Sequence, residues 1–506
     1  MKKNFRLLLV ICLVLSIFAG SSSMLMGAEK IQGKLTISWF LGEYQPIFEY
    51  AARAYEKINP GVDIKITMVP YDGLNTWIKT QLIGGTAPDL IGIEQWAVNE
   101  LLAQDLIQPL DRWMDKPNTY SDVKGSWKSE FKKPYLERAR DPIGKIGICP
   151  VALYGVGFYY NKTVYSKLKL EVPETWNELI ENYKKIKAAG YDTQHVALKP
   201  TDWQSLWPLY TITRAMMRDK TTQINLLHKP GWKYDYENPD SINGETITAD
   251  EAYVAFKKGL TDPAKSPEYR TGYQLLKELS KYWNRDMVSF DSNLVYSDFG
   301  AGKSTHFMNG TWYYPVLNGY FAQYRKDGQK DKIFDYGIFS MPTITKDNYK
   351  DLRGMVNSDA QLRNGFVVPA TLSPDKTALA IDFLQFFSSV KMNRQIFGLK
   401  NPESGYAYVG DVSAMAATPQ PAAFSEKLKL EVNYAEMDLA NPGGADAQDW
   451  DMFWQQWQRF MSNKISLDVF LKERSASQLL ALERNLKLYR DDIDRKWMDD
   501  QLKKIK

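Results

Sequence analysis

Cysteine is nearly missing from this chain of 506 residues: Cys12 and Cys149 are its only two. If the first belongs to a leader that is removed, no intramolecular disulfide remains, and stability has to come from the size of the core. Histidine is just as scarce, with His195, His228 and His306 alone, which argues against His-rich metal sites and multi-histidine catalysis. A charge excess of either sign is lacking too. The 64 Lys and Arg against 60 Asp and Glu give +4, and without Lys2, Lys3 and Arg6 in residues 1–28 the balance falls to +1. That removes any general electrostatic case for nucleic acid or an anionic membrane as partner. What the chain has in quantity is aromatic: 13% of residues, with 15 Trp and 30 Tyr. Flat amphipathic rings in such numbers often serve ligands as well as cores. The length itself exceeds what one core usually organises, so at least two domains are expected.

Residues 2–6 carry three positive charges, Leu7 to Phe18 are apolar except for Ser16, and small residues follow at Ala19, Gly20 and Ser21 and again at Gly27 and Ala28. This is the order of a secretory signal, taken here as residues 1–28. An uncleaved anchor is the alternative, but the run is shorter than the ~20 residues of a spanning helix. Phe18-Ala19-Gly20-Ser21 has Ser where a lipoprotein would carry its acylated Cys. The expectation is a soluble, periplasmic or secreted protein. Cys149, within Ile146-Gly-Ile-Cys-Pro150, reads as a buried structural thiol rather than a nucleophile.

Along the mature chain, Thr36–Phe40 reads as a strand, 47–58 as a helix stopped by Asn59-Pro60-Gly61, and Val62–Val69 as an alternating strand. Leu74–Ile83 reads as a helix ended by Gly84-Gly85, and Leu90–Ile93 as a short buried strand. Strand alternating with helix predicts an α/β layer sandwich with ligands at the carboxyl ends of the strands, where Trp39-Phe40 and Glu94-Gln95-Trp96 stand. Further on, Gly155–Asn161 reads as a strand. Thr175 with Glu178 forms a capping box opening a helix at Trp176 that Gly190 closes, and Ser373-Pro374 opens another. Residues from 218 to about 267 look like an insertion of loops and short helices, and the last hundred residues look mostly helical.

Several motifs carry little. Gly300-Ala-Gly-Lys-Ser-Thr305 resembles a phosphate loop, yet Ser297 stands where the pattern needs Gly, and no clear helix follows. Asp291-Ser-Asn293 opens like a calcium loop but lacks its later ligand positions and central Gly. No Gly-x-Ser-x-Gly elbow occurs, so no metal, cofactor or catalytic residue is assigned. The aromatics say more. Trp39, Trp96, Tyr154, Trp203 and Trp312 fall after strands or in loops, and Glu94 and Gln95 beside Trp96 supply hydroxyl partners. A sugar stacks its C–H face on a ring and needs polar partners for its hydroxyls. Trp450, Trp454 and Trp457 form a helical stripe that reads first as core, with Trp450 or Trp454 the members expected to reach a cleft.

The order of motifs resembles the extracellular solute-binding proteins of carbohydrate ABC importers, the class that includes maltose-binding protein. The likeness runs through Ile58-Asn-Pro-Gly-Val62, Gly84-Gly-Thr-Ala-Pro-Asp89, Cys149-Pro150 to Tyr160-Asn161-Lys162, and Pro173-Glu-Thr-Trp-Asn-Glu-Leu179. It continues through Met308-Asn-Gly-Thr-Trp312, Phe339-Ser-Met-Pro342 and Gly365-Phe-Val-Val-Pro369. It implies a two-lobe periplasmic-binding-protein-like α/β fold of type II, hinge-linked, with extra C-terminal helices. One lobe would take residues 29–145 and 358–408, the other 146–357 and 409–506. It implies an interlobe site holding Trp39, Glu94, Gln95, Trp96, Tyr154, Trp203, Trp312, Tyr313, Trp450 and Trp454. The partners implied are a carbohydrate and, transiently, an ABC permease, with the protein a monomer, no nucleic acid and no enzymatic activity. A secreted glycan lyase or hydrolase is the alternative. A binding protein for a polyamine or a phosphate ester is a weaker third reading.

Overall fold

The computed structural model describes residues 31–505 except 72, 95–96, 132–135, 137–138, 140–144, 201, 225–248, 311–312, 353–357, 400–406, 409–429, 432–446 and 491–492. Residues 1–28, read above as a signal, lie outside that set. Strands β1 (Gln32–Trp39), β2 (Gly61–Met68) and β3 (Leu90–Glu94) are parallel, with β1 between the other two. Helices α1 (Gln45–Ile58) and α2 (Leu74–Ile83) make the crossovers. Ile47, Phe48, Ala51, Ala52 and Tyr55 form one face of α1 and are all buried. That is the stripe a helix needs to cover a parallel sheet.

β4 (Cys149–Asn161), β5 (His306–Gly310), β6 (Tyr336–Phe339) and β7 (Ser358–Val367) are antiparallel additions. The order through the sheet is β2-β1-β3-β7-β4-β5, with β6 also on β4. Short β8 (Ala407–Tyr408) pairs with β4, and β9 (Leu430–Glu431) pairs with β7. Side chains of β4 belong to separate cores. Cys149 and Val151 join one that gathers Leu35 to Val151 and Phe366 to Ile396. Val156, Phe158 and Tyr160 join another that gathers Val156 to Leu352 and Phe453 to Leu471. A smaller cluster around Tyr159, Phe307 and Tyr313 lies on the other face of the strand. Between Val151 and Val156 the chain therefore passes from one hydrophobic interior to the next, held there by β7.

β4 begins earlier than the short strand expected from Gly155. Pro150 cannot donate to a ladder, so a continuous strand through it is unexpected. The ladder accommodates it with register shifts between Pro150 and Ala152 and between Ala152 and Leu153, as a bulge allows. Opposite Pro150 stands Gly365, where an added Cβ would lie 2.3 Å from the Cys149 carbonyl oxygen.

Helix α3 (Trp176–Ala188) carries the expected capping box, with Thr175 Oγ1 accepting from the Glu178 amide and Glu178 accepting from the Thr175 amide. Gly190 follows with a left-handed φ of 85°. Helices α4 (Trp207–Ile224) and α5 (Ala249–Lys257) flank residues 225–248, and turns at 258–266 complete the described part of the insertion. Asp291 accepts from the Asn293 amide at 2.9 Å and caps α6 (Ser292–Gly300), which accounts for the calcium-like Asp291-Ser-Asn293. From Gly300 the chain runs helix, turn, strand into β5, the reverse of a phosphate loop. Helix α7 (Tyr313–Lys326) follows, then α8 (Pro374–Ser388), capped by Ser373. The C-terminal helices are α9 (Ala447–Met461), α10 (Leu467–Leu488) and α11 (Arg495–Lys503). No helix among the described residues is long and apolar enough to cross a membrane.

Candidate functional site

At the carboxyl ends of the parallel strands the first lobe gathers Phe40, Tyr71 and Glu94. Glu94 ends β3, is 8% exposed, and accepts a hydrogen bond from Tyr71 Oη at 3.1 Å. The Tyr71 ring lies 5.9 Å from Phe40 and is 37% exposed. A half-exposed ring beside a carboxylate can offer a sugar both a stacking face and a hydroxyl partner. Tyr71 is absent from the sequence-based site. Its signal was available, since Pro70-Tyr71 follows directly on the carboxyl end of β2.

Trp39 is placed differently from a ligand-stacking ring. It has no exposed surface and is packed among Phe40, Tyr44, Phe48 and Phe366 at centroid distances of 5.3, 5.4, 4.8 and 4.8 Å. Its indole also lies on β3 where Gly92 leaves room: an added Cβ there would stand 2.3 Å from Trp39 Cε3. The reason is that β1 is covered on both faces at its carboxyl end and its neighbour β3 is buried throughout, so a residue at that end has no solvent side to turn to. Tyr313 is interior as well. It is unexposed, donates from Oη to the Tyr296 carbonyl at 2.7 Å, and packs against Phe307 at 4.5 Å and Tyr159 at 5.3 Å.

The second core brings two of the remaining candidates together. Trp203 opens a short 3-10 turn, Trp203–Ser205, and stacks on Trp450 of α9 with centroids 5.1 Å apart and planes at 26°. Both are half-buried. Beneath them Phe453 stacks on Trp450 at 5.5 Å and 17°, and on Trp457 at 5.8 Å and 17°. Trp454, 2% exposed, meets Trp450 edge-on at 88°. The helical stripe is thus core with one shoulder at the surface, and Trp450 is that shoulder. Gln95, Trp96 and Trp312 lie outside the described residues, and for Tyr154 only the backbone, opposite Gln361 in β7, is described.

Asp202 sets the turn that carries Trp203. Its carboxylate accepts from the amides of Gln204 at 3.1 Å and Ala197 at 2.9 Å. Burial nevertheless pushes the carboxyl up to about 7, with the amides and Lys199 pulling the other way. The proton is then held more tightly folded than unfolded, so this contribution is complete below the ordinary carboxyl range and is lost as pH rises to about 7. The expected slope reaches about 1.4 kcal/mol per pH unit. Urea midpoints of wild type and Asp202→Asn between pH 4 and 8 measure it; the variant should lack that part of the fall.

Cys149 is buried and free, its thiol pushed up by burial and by nearby Glu130. Among the described residues no group of His, Cys, Asp and Glu is placed to hold a metal ion.

Two cores joined through β4 and β7, a parallel sheet on one side and C-terminal helices on the other, define a two-lobe α/β fold of the type II periplasmic-binding-protein kind. The chain belongs to the bacterial extracellular solute-binding protein family, whose model matches residues 41–393. Solved structures share the architecture. A chitin oligosaccharide binding protein superposes with a TM-score of 0.61 at 17% identity, over 89% of this chain and 99% of that one. A maltose/maltodextrin-binding domain from Bdellovibrio bacteriovorus bound to maltotriose gives 0.56 at 15% identity, over 89% and 100%. In sequence, a binding protein of Brucella abortus is 30% identical over 294 residues, 56% of this chain and 62% of its own length. The multiple sugar-binding protein of Streptococcus mutans is 26% identical over 329 residues, 65% and 67%. The chain thus spans under two thirds of the Brucella relative it matches.

Proposed function

We propose that this protein is the substrate-binding component of an ABC importer and captures a neutral sugar, an oligosaccharide, between its lobes for delivery to a membrane permease. The observation that carries the reading is the half-buried Trp203–Trp450 stack at the edge of the second core. Carbon contacts to an aromatic face lie at about 3.5–4.0 Å, so a ring sandwiched between two indoles would need roughly twice that separation. At 5.1 Å this pair cannot admit a sugar between its members; it offers an outer face instead. The reading takes Glu94 and Tyr71, with Gln95 and Trp96, as the first lobe's contribution, and adds Tyr154 and Trp312 from the second. Supporting it are relatives whose names record sugars, maltotriose and chitin oligosaccharide among them.

In this reading the lobes are 29–145 with 358–408 and 146–357 with 409–506, and the mature protein is an exported monomer. Ligand meets one lobe in the open state and gains the other's contacts only on closure, so closure follows from a difference in affinity between the two states. Calorimetry against oligosaccharides, amino acids and inorganic anions tests the substrate class. Saturable binding of an oligosaccharide alone is expected; binding of an amino acid or anion instead refutes the class, and turnover of glycan to product would make the protein an enzyme. Trp203→Ala should weaken oligosaccharide binding by about 2 kcal/mol, roughly 30-fold, in a variant that still melts cooperatively. Wild-type affinity in that variant would remove Trp203 from the site.

A further inference from the structure

Asp449 and Arg474 form a deeply buried ion pair, with side chains 1% and 0% exposed. The guanidinium spans the carboxylate with two bonds, Nη1 to Oδ1 at 2.8 Å and Nη2 to Oδ2 at 2.6 Å, and Nη1 also donates to Ser477 Oγ at 2.6 Å. Asp449 stands in the first turn of α9, one residue before Trp450, while Arg474 comes from α10. The same guanidinium lies 5.3 Å from the centre of the Phe453 ring. Phe453 stacks on Trp450, and Trp450 on Trp203. One buried cation is therefore tied both to the residue preceding Trp450 and to the ring packed against it.

An ion pair this deep adds little net stability over apolar residues of the same volume, because desolvation offsets the attraction. Its advantage lies in geometry: a planar, bidentate guanidinium–carboxylate contact has one orientation, which an ammonium cannot reproduce. Trp450, for its part, sits in the middle of a stack, with Trp203 on it and Phe453 packed behind.

We propose that the Asp449–Arg474 pair is a positioning device for the sugar platform. It fixes the first turn of α9 so that Trp450 holds Trp203 at one angle to the ligand, and Trp450 acts through Trp203. The inference rests on the reading that Trp203 takes the sugar. Two stacked indoles give an exciton couplet in the circular dichroism of the ligand-free protein, and loss of the couplet in Trp203→Ala and in Trp450→Ala assigns it. The tests are Arg474→Lys, which keeps the charge, and Asp449→Leu with Arg474→Met, which replaces both ions. Each is checked for a cooperative melt and titrated with maltotriose, raffinose and the trisaccharides of chitin and xylan. Both variants should lose most of the couplet and bind whichever trisaccharide wild type binds about tenfold more weakly. An intact couplet in either folded variant overturns the proposal, as does unchanged affinity where the couplet is lost. If wild type binds none of these sugars, the sugar reading fails, while the couplet still decides whether the pair orients the rings.

Discussion

Replacing Trp39 by alanine should cost about 3–5 kcal/mol of stability and leave the ligand affinity of the folded protein unchanged. The indole has no exposed surface, touches four other rings and lies against β3 at Gly92. Its removal leaves a cavity lined by four rings and β3, which cannot be closed by moving one element. The two cores are separate clusters, so the loss should fall on one calorimetric transition, that of the core containing Leu35 to Val151, with the other melting as in wild type. Calorimetric scans of the ligand-free variant measure this. A cost below about 1 kcal/mol together with lost oligosaccharide binding would instead make Trp39 a ligand contact.

The fate of Trp39 shows which parts of this molecule can be read from sequence. Helix α2, the capping box of α3 and the Ser373 cap were legible, since each rests on hydrogen bonds between residues a few positions apart. The fold was legible for a related reason: alternating strand and helix patterns leave few ways to cover a parallel sheet. A ring's role is settled by what lies on its two faces, and those neighbours come from elsewhere in the chain. Phe366 and Gly92 make Trp39 interior; Phe307 and Tyr159 do the same for Tyr313. Trp203 meets Trp450 from the far side of the sequence, and nothing local to either residue announces it. Tyr71 is inconspicuous in sequence for the opposite reason. It lies in a turn, carries no periodicity, and acquires meaning only through Glu94.

Asp449→Ala should destabilise the second core by about 3–5 kcal/mol. The substitution removes a small acidic side chain near a helix start, where an exposed aspartate would contribute under about 1 kcal/mol through the helix dipole. The difference comes from what is left behind: the guanidinium of Arg474, 0% exposed and deprived of its bidentate carboxylate. The paired change of Asp449→Leu with Arg474→Met takes away both charges, so its stability should return to within about 1–2 kcal/mol of wild type or exceed it. Urea unfolding of wild type, Asp449→Ala, Arg474→Met and the double variant completes a cycle whose coupling should be favourable by more than about 2 kcal/mol. Independent, additive losses would mean that the guanidinium finds water or another acceptor once its carboxylate is gone. With the coupling as expected, a pair that apolar residues can replace at little cost to stability has to be explained by the single geometry it imposes on α9, and that geometry is where Trp450 meets Trp203.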